Sequence, residues 1–295
     1  MEADIALDAF VARPSQEHRH ARDRVSVFLI GPGVVLLLVF FALPICALLA
    51  RSVFDPTPTL ANFRLVFASH AVFAVFTKTI WIALVSTVIA LCLAYPVAYV
   101  LLRARPNYRI ILLAAVLLPF WTNILARCYS LMLVLQTTGV FNQSLIHIGV
   151  LKDPLPIMFN FTGVVIGMVH YLIPPAALIL YSSMQNVDLR LVAVAETLGA
   201  TPWAAFAKVF FPLSLPGLRS TTVLIFTTGL GFFVTPAVLG GQRETTISML
   251  IQTQFSETLN WGFGAALAAV LMLTTSAGIV LYYSTTGRSE RRWTQ

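Results

Sequence analysis

The sequence predicts an all-α membrane protein with six transmembrane helices, on the evidence of its composition and its hydropathy pattern. Of its 295 residues, 58% are hydrophobic and only 11% are charged, and the mean hydropathy is +0.84. A soluble domain is about one quarter charged. Twelve acidic and 19 basic residues cannot cover the surface of a soluble chain this long. These observations favour a multi-pass membrane protein.

Six apolar runs have the length of a membrane-spanning helix, since a bilayer core about 30 Å thick takes roughly 20 helical residues. The runs are 26–50, 79–102, 110–136, 159–184, 220–240 and 262–287. The first is interpreted as a retained helix, because it is too long for a signal peptide and lacks a clean cleavage site. The predicted transmembrane domain is therefore 26–287. It lies between a tail at 1–25 that is predicted to be disordered and a cytoplasmic tail at 288–295.

The basic residues predict the orientation, because cytoplasmic loops are enriched in Lys and Arg. Thirteen of the 19 fall on the side that holds both termini: Arg13, Arg19, Arg22, Arg24, Arg103, Arg105, Arg109, Arg190, Lys208, Arg219, Arg288, Arg291 and Arg292. The other six are Arg51, Arg64, Lys78, Arg127, Lys152 and Arg243. Both termini and the connection 185–219 are therefore predicted to be cytoplasmic.

Arg127 interrupts the third run, seventeen residues after Ile110. Either the helix ends near Arg127, or it continues and carries the charge into the membrane. Asn123 and Arg127 are four residues apart and would share a helix face, with Tyr129 close by. This group either lines a pathway or gate, or anchors the helix, with Arg127 reaching the head groups and Trp121 in an aromatic belt. The anchor is the favoured interpretation.

Three further residues are candidates for a pathway or gate. His170 lies in the middle of the fourth run, where it either faces a pathway or hydrogen-bonds a neighbouring helix. Phe233 and Pro236 lie near the outer end of the fifth run. Gly229 and Gly231 precede them and predict either a hinge or close helix packing, of which close packing is the commoner.

The loop 185–219 contains two predicted helices joined at a glycine. The first, 187–198, has an apolar face at helical spacing and is followed by Gly199, a typical C-terminal stop. Thr201 is a predicted cap for the second helix, whose first residue is Pro202.

The second helix is predicted to be short, with Trp203 and Phe206 on its apolar side. Pro212 and Pro216 are expected to end it and to lead back to the membrane. Two short helices of this kind suit docking into a groove on another protein, and they equally suit lying on lipid head groups.

Several functions are disfavoured by what the sequence lacks. None of the twelve acids is central to a predicted span, which argues against a proton-coupled carrier. No lysine follows a glycine in the phosphate-binding pattern, so any ATP hydrolysis must belong to another subunit. The sequence has no catalytic or metal-ligand spacing. It predicts a chain that is not an enzyme, binds no cofactor or metal, contacts membrane lipid and does not bind nucleic acid.

The stretch "AETLGATPWAAFAKVFFPLSLPGL" resembles the signature loop of the membrane subunits of binding-protein-dependent ABC importers. In that family an E-A-A triplet is followed by a glycine and then an L-P element. Ala193 stands where the family has its glutamate, and Glu196 is the nearest acid. The family's loop couples a cytoplasmic ATPase to the membrane helices. The resemblance implies an ATPase-coupling loop that includes Ala193, Ala195, Glu196, Gly199, Ala200, Thr201, Trp203, Phe206, Pro212, Pro216 and Gly217.

Four further stretches resemble the subgroup that carries spermidine and putrescine: "LAYPVAYVLLR" at 93–103, "LPFWTNILARCYS" at 118–130, "FFVTPAVLGG" at 232–241 and "NWGFGAALA" at 260–268. The resemblance implies a permease of the bacterial inner membrane that moves a polyamine by alternating access. It also implies a second permease, two copies of an ABC ATPase that bind ATP and Mg, and a periplasmic solute-binding protein. The alternatives are a stand-alone secondary transporter or channel or, within the importer family, an opine, an amino-phosphonate or ferric ion as substrate.

Overall fold

The apolar runs of the sequence form long helices in a computed structural model that describes residues 31–54 and 58–290. Within those ranges the regular structure is helical throughout. The helices are α1 (Gly31–Phe54), α2 (Ala61–Ala68), α3 (His70–Arg103), α4 (Pro106–Trp121), α5 (Ile124–Leu135), α6 (Val140–His147), α7 (Phe161–Met184), α8 (Leu189–Thr197), α9 (Pro202–Leu230), α10 (Val234–Leu239), α11 (Ile247–Ser256) and α12 (Trp261–Glu290).

Six segments of the described chain are long and apolar enough to cross a membrane, which confirms the predicted fold class. They are Gly31–Phe54, His70–Arg103, Ile124–His147, Phe161–Met184, Pro202–Leu230 and Trp261–Val280. The predicted tail 1–25 and the start of the first run lie outside the described residues. Of the predicted tail 288–295, residues 288–290 continue α12, and the rest lies outside the described residues.

The third predicted span is divided into α4 and α5, so the single helix continuous through Arg127 that one alternative expected is not formed. Helix α4 ends at Trp121, six residues before Arg127, and Arg127 belongs to α5. Asn123 does not share a helix face with it, because Asn123 caps α5: its Oδ1 accepts from the Leu125 N–H at 2.8 Å. This cap requires a non-helical backbone at Asn123, and that conformation ends the preceding helix.

The expectation that Pro212 and Pro216 end a short helix is also wrong, since α9 runs unbroken through both to Leu230. One turn of π-helix, Phe206–Phe210, directly precedes this part of the helix. A π-turn shifts the hydrogen-bond register, so the ring of Pro212 need not collide with the carbonyl four residues earlier. The chain between α7 and α9 is consequently much shorter than the predicted loop 185–219.

The predicted fifth span, 220–240, ends early, because α9 stops at Leu230 and α10 follows after a short turn. A Cβ placed on Gly229 would lie 3.5 Å from Ala83 and from Met168, an ordinary contact distance. Gly229 therefore lies where α9 meets α3 and α7. Gly231 has open space around it and caps the end of α9.

The core is centred on α3 and α7, which form the most extensive helix pair, and α9 packs against both. Their contact faces are rich in small buried residues: Ala90, Ala94 and Ala98 on α3, and Ala176 and Ala177 on α7. Small side chains let helix backbones approach closely, which is the main source of helix association in a membrane.

Gly217 on α9 packs so closely against α7 that a side chain has no room. A Cβ there would lie 1.8 Å from the Ser183 Oγ and 2.6 Å from the Ser183 Cβ. The Oγ can rotate away but the Cβ cannot. We expect Gly217→Ala to lower the free energy of unfolding by about 1–3 kcal/mol, the usual range for overpacking. Adding Ser183→Gly should restore it, as measured by thermal unfolding in detergent.

The matched control is Gly278→Ala in α12, where a Cβ would meet nothing within 4 Å. That change should leave stability equal or slightly higher, since alanine favours a helix more than glycine does. Equal melting temperatures for Gly217→Ala and Gly278→Ala would show that the α7–α9 contact is not tight.

Candidate functional site

Helix α8 ends in a sharp turn built on Gly199, which has a left-handed φ of +92°. The Gly199 N–H donates to the Glu196 carbonyl at 3.0 Å, and the Ala200 N–H donates to the Ala195 carbonyl at 3.0 Å. This pair of bonds is a Schellman motif, in which the left-handed position favours glycine because it has no Cβ. The glycine stop predicted from the sequence is present, with Leu198 as the cap residue.

Helix α9 begins at Pro202, three residues after Gly199, as the sequence predicts. The Thr201 Oγ1 accepts from the Ala204 N–H at 3.3 Å, and Pro202 occupies the first turn, where its missing N–H costs no hydrogen bond. The turn therefore joins two well-capped helices at a defined angle.

The two helices present a row of uncovered apolar side chains, which we call the α8–α9 surface: Leu191, Val194, Leu198 and Trp203. Leu198 is 83% exposed and Trp203 is 75% exposed. Ala193 and Glu196 are exposed beside them, so the acid and the alanine at the family's glutamate position both border this surface. An apolar patch of this kind marks a site of contact with a protein or with lipid.

Behind this surface, aromatic rings pack the start of α9 against the end of α3. Trp203 stacks on Phe206 with ring centroids 5.6 Å apart, and Phe206 stacks on Phe210 at 5.8 Å. Tyr99 of α3 contacts Phe206 at 5.2 Å and Phe210 at 4.9 Å, edge to face. Phe210 is fully buried. Trp203 and Phe206 thus differ: the first is exposed, and the second belongs largely to the core.

A hydrogen-bonding contact between α3 and α9 continues this packing farther along α9. The Tyr95 hydroxyl and the Ser214 Oγ are 2.7 Å apart, and the Ser214 Oγ also donates to the Phe211 carbonyl. The remaining residues of the predicted coupling loop are distributed as follows: Ala195 and Ala200 half-buried, Thr201, Pro212 and Pro216 exposed, and Gly217 buried.

A second cluster of candidates surrounds Arg127, whose side chain is only 8% exposed. Its Nη2 donates to the Pro119 carbonyl, to the Thr122 carbonyl at 3.3 Å and to the Thr122 Oγ1 at 3.2 Å. Its Nε also donates to the Thr122 Oγ1, at 3.3 Å. The guanidinium therefore caps the carbonyl end of α4. The side chain folds back onto α4 and does not extend away from its own helix, because the helix break offers it unpaired carbonyls. Its anchoring at the head groups stays a prediction.

The ring of Tyr171 on α7 completes this cluster. The Arg127 Cζ is 5.8 Å from the Tyr171 ring centroid, and the Phe232 and Phe120 rings lie 4.4 and 6.4 Å from it. Tyr171 lies ten residues after the start of α7 at Phe161, or about 15 Å along the helix axis. This is about half the thickness of a bilayer core, which is about 30 Å. His170 is next to it, with a buried Nδ1 that has no hydrogen-bond partner in the described chain.

The other pathway candidates are not all in this cluster. Trp121 and Tyr129 are 84% and 56% exposed. Phe233 precedes α10 and is half-buried, and Pro236 is buried within α10. In residues 31–54 and 58–290, no group of three His, Cys, Asp or Glu side chains could hold a metal ion.

Sequence reasoning missed four residues of the Arg127 cluster: Phe120, Thr122, Tyr171 and Phe232. Phe120 and Thr122 flank Trp121 in the third run, and a proline followed within four residues by a capping asparagine could have indicated the break there. Tyr171 and Phe232 come from other helices, and the sequence contains no signal that brings them together.

The chain matches the family of binding-protein-dependent transport system inner membrane components over residues 25–295. It is 34% identical over 212 residues to the spermidine/putrescine transport system permease protein PotB of Haemophilus influenzae, covering 70% of this chain and 74% of the relative. To PotB of Escherichia coli K12 it is 34% identical over 211 residues, covering 72% and 77%.

Among solved structures, a bacterial ABC transporter involved in the import of the acidic polysaccharide alginate superposes with a TM-score of 0.75. The identity is 17%, and the match covers 92% of this chain and 98% of that one, so the likeness is one of fold. The family match over residues 25–295 and the 34% identity to two permeases show to which family the chain belongs. It belongs to the binding-protein-dependent transport system inner membrane components and is the permease component of an ABC importer.

Proposed function

We propose that this chain forms half of the translocation pathway of an ATP-driven importer in a bacterial inner membrane, and that its solute is a polyamine such as spermidine or putrescine. The observation that carries the proposal is the 34% identity to PotB, named for spermidine and putrescine transport, over more than two thirds of both chains.

The chemistry of the spans supports a pathway without carboxylates. In the described chain, Asp153, Asp188, Glu196, Glu244 and Glu257 all lie outside the six spanning segments. A cationic solute would therefore meet carbonyls, hydroxyls and aromatic faces, the last through cation–π contact. Recognition by several carboxylates would then belong to a periplasmic solute-binding protein that delivers the solute.

The assembly in this proposal contains a second permease of different sequence and two copies of a cytoplasmic ABC ATPase. ATP and Mg bind to the ATPases, and this chain binds no cofactor. The α8–α9 surface fits a cleft on one ATPase, because Leu198 and Trp203 are exposed and apolar. Both termini and this surface face the cytoplasm, in agreement with the distribution of Lys and Arg.

The continuity of α9 supports a mechanism of alternating access. ATP binding draws the ATPases together and pushes the α8–α9 surface. Helix α9 carries this motion without a break from Pro202 to Leu230 in the membrane. The cavity opens outward, and hydrolysis resets it.

The Gly199 turn gives the test of coupling, because a second turn of the same kind lies elsewhere. Gly149 has φ +78°, its N–H donates to the Ile146 carbonyl, and the space around both glycines is open. An alanine at either position costs about 1–2 kcal/mol of backbone strain and no collision. We expect Gly199→Ala to reduce spermidine uptake and substrate-stimulated ATP hydrolysis several-fold in proteoliposomes of the whole complex. Gly149→Ala should leave both near wild type.

Equal losses in the two variants would assign the effect to stability and not to coupling. Uptake of spermidine by this chain without ATPases and ATP would overturn the importer mechanism and support a stand-alone transporter. Import of a different solute by the wild-type complex would overturn only the polyamine assignment.

The docking of Trp203 can be measured by thiol labelling. In a chain whose three native cysteines are replaced by serine, a Trp203→Cys side chain should react fast in the isolated permease and at least tenfold more slowly with the ATPases bound. Asp153→Cys, in an exposed loop, is the control and should react equally in both states. Protection of Trp203→Cys by lipid vesicles alone would show that this surface lies on the membrane.

A further inference from the structure

Arg127 is the one charged side chain buried in the part of the chain whose side chains are described. The groups that it contacts are all uncharged: two carbonyls at the end of α4, the Thr122 hydroxyl and the face of the Tyr171 ring. A buried cation is normally paired with a carboxylate. Its environment here is instead a set of oxygen atoms and an aromatic face.

These are the groups from which a membrane protein builds a site for a cation. The last carbonyls of a helix carry the negative end of its dipole, and carbonyls at broken helices coordinate cations at the bilayer midplane in transporters. An aromatic face attracts an ammonium or guanidinium group. The break between α4 and α5 and the Tyr171 ring together form such a site, and the guanidinium of this chain occupies it.

Arg127 fills the site incompletely. Its Nη1 is buried and has no hydrogen-bond partner among the described residues, so one donor of the guanidinium is unsatisfied there. Thr122 is exposed at the surface of the chain, so the site is open on that side. A cation in a pathway on this face of the chain would meet the same oxygens that hold the guanidinium.

The site is also linked to the coupling helix. Phe232 lies two residues beyond the end of α9, and its ring centroid is 4.4 Å from that of Tyr171. The other end of α9 carries Trp203 on the α8–α9 surface. A displacement of α9 during the ATP cycle therefore moves the ring that packs against the site.

We propose that the carbonyls of Pro119 and Thr122, the Thr122 hydroxyl and the Tyr171 ring form a binding site for an ammonium group of the transported solute, with Arg127 as a tethered competitor that fills the site between transport cycles. The identity of the solute rests on the proposed function, whereas the site itself rests on this geometry. The bound guanidinium keeps ambient monovalent cations out by charge repulsion. A polyamine carries several ammonium groups and displaces it when α9 moves.

The test is equilibrium binding of radiolabelled spermidine to the purified complex of both permeases and the ATPases, without the solute-binding protein. Arg127→Gln removes the competing charge and should lower the Kd for spermidine at least tenfold relative to wild type. Guanidinium chloride should compete with spermidine in this variant, because it replaces the missing side chain. Adding Tyr171→Leu should abolish the gain.

Three variants control the interpretation. Arg127→Lys keeps the charge and should bind spermidine as weakly as wild type. Arg105→Gln makes the same charge change at an exposed position before α4 and should have no effect. Thr122→Val loosens the guanidinium and should tighten binding by a smaller factor than Arg127→Gln, which keeps the proposal testable if Arg127→Gln fails to assemble.

The results separate this site from the proposed substrate. Spermidine binding that is unchanged in Arg127→Gln and Thr122→Val, in complexes that assemble and melt normally, overturns the site. Guanidinium binding by Arg127→Gln, in a transporter whose wild type does not import spermidine, supports the site and overturns only the polyamine assignment.

Discussion

Backbone carbonyls that a helix leaves unpaired inside a membrane must find donors within the protein, because the hydrocarbon offers none. The rest of this structure depends on how that constraint is met at the break between α4 and α5. The Asn123 side chain caps the start of α5, and the guanidinium of Arg127 turns back to the last carbonyls of α4. One arginine thus provides donors for the carbonyls that the break leaves unpaired, and it places a positive charge against the ring of Tyr171.

The same constraint gives a different result in α9. Two prolines remove N–H donors there, yet one turn of π-helix before Pro212 keeps the helix continuous. One continuous helix therefore joins the exposed Trp203 to the neighbourhood of Phe232. At its base, Tyr99 and Phe210 hold α9 against α3. In the proposed mechanism, α9 would transmit a push on the α8–α9 surface to the centre of the bundle.

The charged groups of the described spanning segments are subject to the same constraint. Acids are absent from the described spanning segments, and the buried charge of Arg127 is balanced by dipoles and an aromatic face. Each of these contacts is weaker than a salt bridge in a medium of low dielectric constant. The close packing of small residues between α3 and α7 supplies a stable frame beside them.

The sequence by itself determined the class of the protein and much of the local structure at the α8–α9 surface. Hydropathy predicted six spans, and turn chemistry predicted the stop at Gly199 and the cap at Thr201, because each of these depends on neighbouring residues alone. Only the tertiary structure decided that Arg127 is buried, that α9 continues through Pro212, and that Tyr171 and Phe232 complete the Arg127 cluster. The reason is physical: a proline or a buried charge is tolerated only if groups elsewhere in the fold satisfy the backbone and side-chain polar atoms it leaves unpaired, and those groups come from helices distant in the chain.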